Sequence, residues 1–310
     1  MDRGRSVDEE WLATLPGVRR GEPLGRHSQY GIGGPADWHL KVRDTAHLAE
    51  VMRRCHASGV PLTVIGAGSN SLVLDGGIRG LVVELPRDRM SVLSDDVVEL
   101  PGGAMMPRAA LDCAARGLGG LEFAIGVPGT CGASVRGNAG AFGTEIKDVL
   151  VDCDALAPDG SRHTYAASDL GFAYRDSRFK HDLGGHVVVG ARLRVHADLP
   201  VVVRTLTDAI QTERRATQPY SERSLGSMFT NPPGDHAGRL IDAAGLKGAR
   251  VGGAEVSLKH ANFVVNAGGA TAADVLELCD LIQRTVAQQF GVHLVPEISV
   301  LGEPVRRTDG

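Results

Sequence analysis

The segment Leu62–Leu74, LTVIGAGSNSLVL, decides the fold class. Its apolar, β-branched opening reads as a strand over Leu62–Ile65. Gly66, Ala67, Gly68, Ser69 and Asn70 read as a loop, and Leu72–Leu74 as a second strand. The loop imitates the start of a dinucleotide-binding fingerprint. Its sixth position, however, is Ser71 rather than Gly or Ala, and a strand follows where that fingerprint needs a helix. Both features argue against a dinucleotide seated on a helix N-terminus. A turn of Gly, Ser and Asn still allows successive backbone N–H groups to form an anion-binding nest; a plain hairpin turn is the alternative.

A second stretch, Leu121–Gly143, reads LEFAIGVPGTCGASVRGNAGAFG and holds six glycines in twenty-three residues. Typical usage is about 7%. The run is too poor in polar side chains for an ordinary surface loop and too broken by glycine and proline for a regular element. Glycine belongs where φ must be positive or where something approaches the backbone closely. The stretch therefore reads either as N–H donors wrapped around a bound group or as tightly packed turns.

The rest of the chain frames these two segments. Residues 1–26 form a polar arm with a short helix expected over Glu9–Leu15. A strand is expected over Trp38–Val42, then a helix capped by Thr45, with Leu48, Val51, Met52 and Cys55 on its apolar face and Gly59 as its stop. Strands follow at Gly80–Leu85 and Val97–Leu100, and a helix opened by Pro107 that carries Leu111 and ends at Gly117. Val151–Ala157 and Arg162–Tyr165 flank Pro158–Asp159–Gly160 as a hairpin, and Val187–Val195 is an apolar strand. Leu199 and Pro200 mark a domain boundary. A helix is expected over Leu206–Thr217, with strands at Val251–Val256 and Asn262–Asn266. Thr271–Phe290 is a helix with a Thr271/Asp274 capping box and apolar Val275, Leu278, Ile282 and Val286, stopped by Gly291. A last strand is expected over His293–Leu301.

Composition narrows the function classes. The chain has 310 residues, 41 glycines and a net charge of −4. Length allows two or three domains, and the charge gives no reason to expect nucleic acid or an anionic membrane as partner. Five scattered cysteines without a CxxC pair suit a reducing cytosol and suggest neither a zinc ribbon nor a redox dithiol. No apolar run approaches the ~18 residues of a membrane span, and the N-terminus lacks the apolar core of a signal peptide. These features lead to the expectation of a cytoplasmic protein. The eleven histidines form no recognisable ligand set, so no metal is expected.

Few side chains stand out for chemistry. Arg175, in YRDS, is either an anion clamp or the partner of Asp176. Ser227, in LGSMFTNP, lies outside any GxSxG elbow and reads as a turn hydroxyl rather than a nucleophile. Glu297 follows Pro296 in an apolar segment, and is either a solvent-facing strand end or a placed carboxylate. Lys259 and His260 close a strand edge.

Four segments together resemble the UDP-N-acetylenolpyruvoylglucosamine reductases: YGIGGPADW, IGAGSNSLVLDGGIRGLVV, LEFAIGVPGTCGASVRGNAGAFGTEI, and the C-terminal run from SLGSMFTNP to FGVHLVPEISVLG, with YRDSRF between the last two. They cover residues 30 to 302 in order. The resemblance implies an α+β fold: a two-lobed FAD-binding domain of the vanillyl-alcohol-oxidase (PCMH) type over residues 27–198, with lobes of about 27–85 and 86–198, then an α+β substrate domain over 199–303 and a tail, 304–310. It implies non-covalent FAD between the lobes. The pyrophosphate would rest on Gly66–Asn70 and Gly129–Ser134. Asn138, Ala139 and Gly140 would lie along the flavin. Gly126, Pro128, Gly129, Thr130, Gly132, Ala133 and Ser134 complete the implied cofactor residues.

The resemblance further implies that NADPH reduces the flavin and leaves, and that UDP-N-acetylglucosamine enolpyruvate then takes its place. Hydride passes to the vinyl carbon. Ser227 would protonate the adjacent carbon, and Arg175 and Glu297 would stabilise the enol-like charge. Asn231, Lys259 and His260 would touch substrate. Thr230 departs from the lysine frequent in this motif. Only 52 residues separate Arg175 from Ser227, which resembles the family type that lacks a loop over the substrate. Two competing readings are a different oxidoreductase of the same fold and a non-catalytic nucleotide-sugar binder. The full C-terminal match argues against the first, and the presence of Arg175, Ser227 and Glu297 together against the second.

Overall fold

The structure, a computed structural model, describes residues 7–305; the first six residues of the arm and residues 306–310 of the tail lie outside it. The chain forms two compact units from interleaved segments. The first takes the chain up to Arg19, Trp38–Ala67 and Gly80–Glu213; the second takes Arg20–Asp37, Gly68–Arg79 and everything from Arg214.

The first unit carries two sheets. In one, Leu62–Ile65 runs parallel to Ile78–Glu84, which lies beside Pro35–Lys41. The helix Thr45–Ser58 covers it with the expected face: Leu48, Val51, Met52 and Cys55 are buried with Leu40, Leu81 and Val83. Its N-cap is Asp44 rather than Thr45, because the Asp44 carboxylate takes the His47 N–H at 2.7 Å. Gly59 ends it with φ +69°. The second sheet is antiparallel, in the order Arg162–Ala166, Leu150–Leu156, Val187–Arg194, Val97–Pro101 and Ser91–Ser94. The last of these strands was not anticipated. All four of its residues are exposed, so it shows no alternation to read. The helix Met106–Ala114 packs into the same core, although Leu111 points outward.

Asp154 pins the second sheet. Its buried carboxylate accepts hydrogen bonds from Thr164 Oγ1, Arg162 Nη2 at 2.8 Å and Arg192 Nη1 at 3.1 Å. Burial pushes a carboxyl pKa up, but these three donors outweigh it and Asp154 falls to about 2. A depressed carboxyl pKa stabilises the fold above its unfolded value and loses that contribution as pH falls through the folded one. Urea unfolding of Asp154→Asn should therefore show a deficit of about 2 kcal/mol at neutral pH, closing between about pH 4 and pH 2. A deficit that does not change with pH would remove the ion network as its cause.

The second unit builds an antiparallel sheet in the order Ser224–Ser227, Phe263–Asn266, Ala254–Val256 and Arg250–Val251. The expected continuous strand over Val251–Val256 is instead a hairpin, because Gly252 turns with φ +52° between its halves. The helix Ala272–Phe290 lays Val275, Leu278, Cys279, Ile282 and Val286 into that core. Its N-terminus is the capping box read from sequence, and Asp75 adds acceptors for the N–H groups of Ala272 and Ala273. The helix expected from Leu206 begins six residues earlier, at Pro200, where proline suits a first turn. Among the described residues, no helix is long and apolar enough to cross a membrane.

Candidate active site

The loop Gly66–Asn70 is not a hairpin turn. The strand before it pairs with Ile78–Glu84 and the strand after it, Ser71–Val73, runs parallel to Ser299–Leu301. Two of its carbonyls are turned into the protein: Gly68 O accepts from Gln29 N at 3.3 Å, and Asn70 O from Ser299 N at 2.9 Å. The backbone N–H groups of Gly66, Ala67, Gly68, Ser69 and Asn70 have no acceptor among the described residues. Gly68 sits at φ +60°, and a Cβ there would fall 2.7 Å from His27 O. Consecutive unpaired donors of this kind fit the phosphate oxygens of a cofactor without any helix.

The glycine-rich stretch has a different logic. A short 3₁₀ turn, Glu122–Gly126, and a helix, Cys131–Arg136, fold it onto the core. The N–H groups of Cys131 and Gly132 donate to Ala104 O and Gly102 O, both at 2.8 Å. A Cβ on Gly132 would lie 2.8 Å from Val188 O, and one on Gly140 would lie 2.6 Å from Thr144 O. Gly126 is closed by Ala141 and Phe142 at 3.1 and 3.2 Å. Packing against the chain's own atoms, backbone at Gly132 and Gly140 and side chains at Gly126, accounts for these three glycines, so the expectation that close approach of FAD best explains the run is not needed at them. Ser134 is buried, with its hydroxyl donating to Thr130 O at 2.9 Å. Thr130 is buried, Pro128 and Ala139 are half-buried, and Ala133 is exposed.

Asn138 joins this stretch to the arginine loop. It is fully buried at φ +42°. Its amide donates to Ala173 O at 2.9 Å and to Glu145 Oε2 at 3.0 Å, and its Oδ1 accepts from Lys147 N at 3.0 Å. Arg175 stands at φ +57°, and its guanidinium donates to Gly140 O at 2.9 Å. Arginine in the left-handed region costs roughly 1–3 kcal/mol. Asp176 turns to His181 at 2.7 Å, and hydrogen bonding to that ring, which outweighs the effect of burial, lowers its carboxyl pKa.

The second unit brings Ser227, Glu297 and Asn70 onto neighbouring segments. Ser227 ends its strand after Gly226, which turns at φ +78°. Its hydroxyl is half-buried and has no hydrogen-bond partner among the described residues. Glu297 N donates to Met228 O at 2.9 Å, and Glu297 O accepts from Asn70 Nδ2 at 3.3 Å. The single strand expected over His293–Leu301 is broken. Pro296 only bridges Phe229, and Ser299–Leu301 pairs elsewhere. Proline has no N–H with which to continue a ladder, so Glu297 lies at the switch between the two pairings.

The sequence marks Asn262 only as the start of a strand. It is buried, and its side chain brackets Phe229: Oδ1 accepts from Phe229 N at 3.0 Å and Nδ2 donates to Phe229 O at 2.8 Å. Its backbone carbonyl takes Met228 N at 2.8 Å. It thus fixes the two residues after Ser227. A polar amide heading the apolar run Phe263–Val265 is the only trace of this in the sequence. The three expected substrate residues have structural engagements. Asn231 Oδ1 accepts from Ala237 N at 3.1 Å, at the start of the helix Ala237–Ala243. The Lys259 ammonium donates to Arg215 O. His260 accepts from Asn262 N at 3.3 Å and packs edge-on against Phe263, and burial lowers its pKa.

Residues 218–301 match the UDP-N-acetylenolpyruvoylglucosamine reductase, C-terminal domain family, and residues 36–165 match an FAD binding domain family. UDP-N-acetylenolpyruvoylglucosamine reductase 2 of Symbiobacterium thermophilum is 43% identical over 92% of both chains. The enzyme of that name from Rubrobacter xylanophilus is 44% identical over 94% of this chain and 97% of its own. The crystal structure of the reductase from Thermus caldophilus superposes with a TM-score of 0.78 at 36% identity, covering 92% of this chain and 99% of that one. The α+β fold with a PCMH-type FAD-binding domain and a C-terminal reductase domain is accordingly the fold of this chain. The chain belongs to the UDP-N-acetylenolpyruvoylglucosamine reductase family and is an FAD oxidoreductase.

Proposed function

We propose that the chain reduces the enolpyruvyl group of UDP-N-acetylglucosamine enolpyruvate to give UDP-N-acetylmuramate, a peptidoglycan precursor, in the cytoplasm with NADPH as reductant. The observation that carries this reading is the Ser227 hydroxyl, held beside the Glu297 segment and without a hydrogen-bond partner among the described residues. Residues 27–198 would bind the cofactor and 199–303 the substrate.

The N–H groups of Gly66–Asn70 would hold the cofactor's pyrophosphate, and Gly126, Pro128–Thr130 and Ala139–Gly140 would lie along it. When bound, FAD supplies the hydride. Addition of hydride to the vinyl carbon leaves negative charge on the carbon beside the carboxylate. Ser227 Oγ gives that carbon its proton. Serine is a weak acid, but a carbanionic carbon is a strong base, and a placed donor of this kind contributes ~10²–10⁴-fold. The Arg175 guanidinium stabilises the developing negative charge, and Glu297 takes part with it in stabilising the enol-like form.

The purified protein should be yellow and should turn over NADPH beyond one equivalent per flavin only when the enolpyruvyl nucleotide sugar is present. A colourless protein that does not take up added FAD, or a yellow one indifferent to this substrate, rules the reading out.

A further inference from the structure

The second unit carries a cleft of about 600 Å³ that the proposed chemistry does not use. Its floor is the loop Leu24–Gly34, and Arg223 closes it from the residue before the strand Ser224–Ser227. The loop is rigid by construction. Leu24 N donates to Gly34 O at 3.1 Å, Gly25 N to Gly33 O at 3.2 Å, and Gly31 N to Ser28 O at 3.2 Å.

The charge in this cleft is of one sign. Arg26 and Arg223 line it together with Ser28 and Gln29, and no carboxylate does among the described residues. Neither guanidinium has an ionic or hydrogen-bond partner among the described residues. Three other arginines of the same unit are matched to carboxylates: Arg79 to Asp37, Arg239 to Asp235 and Arg250 to Glu255. Glycine shapes the floor for one of the two. Gly31 stands at φ +72°, and a Cβ there would fall 2.5 Å from Arg223 Nη1. The guanidinium lies against the bare backbone at Gly31.

We infer that Arg26 and Arg223 form a phosphate subsite for a nucleotide ligand. Planar guanidinium forks pair with phosphate oxygens two bonds at a time. Arg223 precedes Ser227 by four residues, so their Cα atoms are at most about 14 Å apart. That span leaves room for a sugar between a phosphate at Arg223 and the reacting group at Ser227. The inference rests on the proposed function only in naming the nucleotide. Two phosphates share the required chemistry: the diphosphate of the sugar nucleotide and the ribose phosphate of the reductant.

Calorimetric binding to the FAD-loaded enzyme tests this with three probes: inorganic pyrophosphate, UDP and adenosine 2′,5′-bisphosphate. Arg26→Gln and Arg223→Gln should each weaken pyrophosphate and one of the nucleotides by about tenfold or more, and lysine at either position should recover only part of the loss. A loss confined to UDP assigns the subsite to the substrate. A loss confined to the adenosine bisphosphate assigns it to the reductant. A loss of pyrophosphate binding alone keeps the subsite and removes the nucleotide reading. If all three probes bind wild type and variants alike, or do not bind wild type, the subsite is overturned.

Discussion

Ser227→Ala should leave flavin reduction by NADPH intact and slow the substrate-driven reoxidation by ~10²–10⁴-fold, the contribution of one positioned proton donor. The expectation rests on geometry rather than on exposure. Ser227 follows a glycine at φ +78°, and the next residue is held from both sides, by Asn262 O on its N–H and by Glu297 N on its carbonyl. Removing one hydroxyl from this frame breaks no protein hydrogen bond among the described residues. The variant should therefore unfold as wild type does, and the loss should fall on a single half-reaction. Stopped-flow flavin absorbance separates the two. Equal slowing of reduction and reoxidation would remove the proton-donor role. Asn262→Ala is the informative contrast. It strips the bracket from Phe229 and leaves buried backbone groups unsatisfied, which costs about 1–3 kcal/mol, so it should lower stability as well as rate.

Elements with a strong local signature were legible in the sequence. The helix Ala272–Phe290 has its capping box, its apolar face and its glycine stop, and each is where the residues say. The strand–loop–strand at Leu62–Val73 was also legible, because short apolar runs flank a loop of Gly, Ser and Asn. What the sequence hid is pairing. Ser71–Val73 finds its neighbour at Ser299–Leu301, more than two hundred residues away, and no local pattern encodes that partner. The switch at Pro296–Glu297 follows from the same long-range pairing.

The candidate site was legible by resemblance more than by pattern. Arg175 alone looked like a surface ion pair, yet Asp176 turns to His181 and Arg175 turns to Gly140 O. The glycines of Leu121–Gly143 misled in one respect. Their density signals close approach, but the approaching atoms at Gly132 and Gly140 are carbonyls of Val188 and Thr144. Glycine content cannot distinguish a ligand from a neighbouring strand, since both need the space a Cβ would fill.

Arg175→Gly should cut the substrate-driven step by ~10²–10³-fold, the loss expected when one donor to developing negative charge is removed, with a smaller loss of stability than Arg175→Ala. Two opposing effects decide the second half of that statement. At φ +57° arginine carries backbone strain that glycine does not, a relief of roughly 1–2 kcal/mol. Against it stand the guanidinium's lost contacts, among them hydrogen bonds to Gly140 O at 2.9 Å and Asn138 O at 3.4 Å and the approach to the Tyr174 ring; one such bond from a charged donor is worth about 0.5–3 kcal/mol. The relief offsets part of that loss, whereas Arg175→Ala keeps the strain and loses the same contacts, and should be the less stable of the pair. Lysine should not restore the rate. It brings a charge but not the planar fork that reaches the Gly140 carbonyl while presenting its other N–H groups. A glycine variant that folds like wild type and turns over substrate at close to the wild-type rate would reduce Arg175 to a loop-fastening residue. In that case its strained backbone would serve the fold alone.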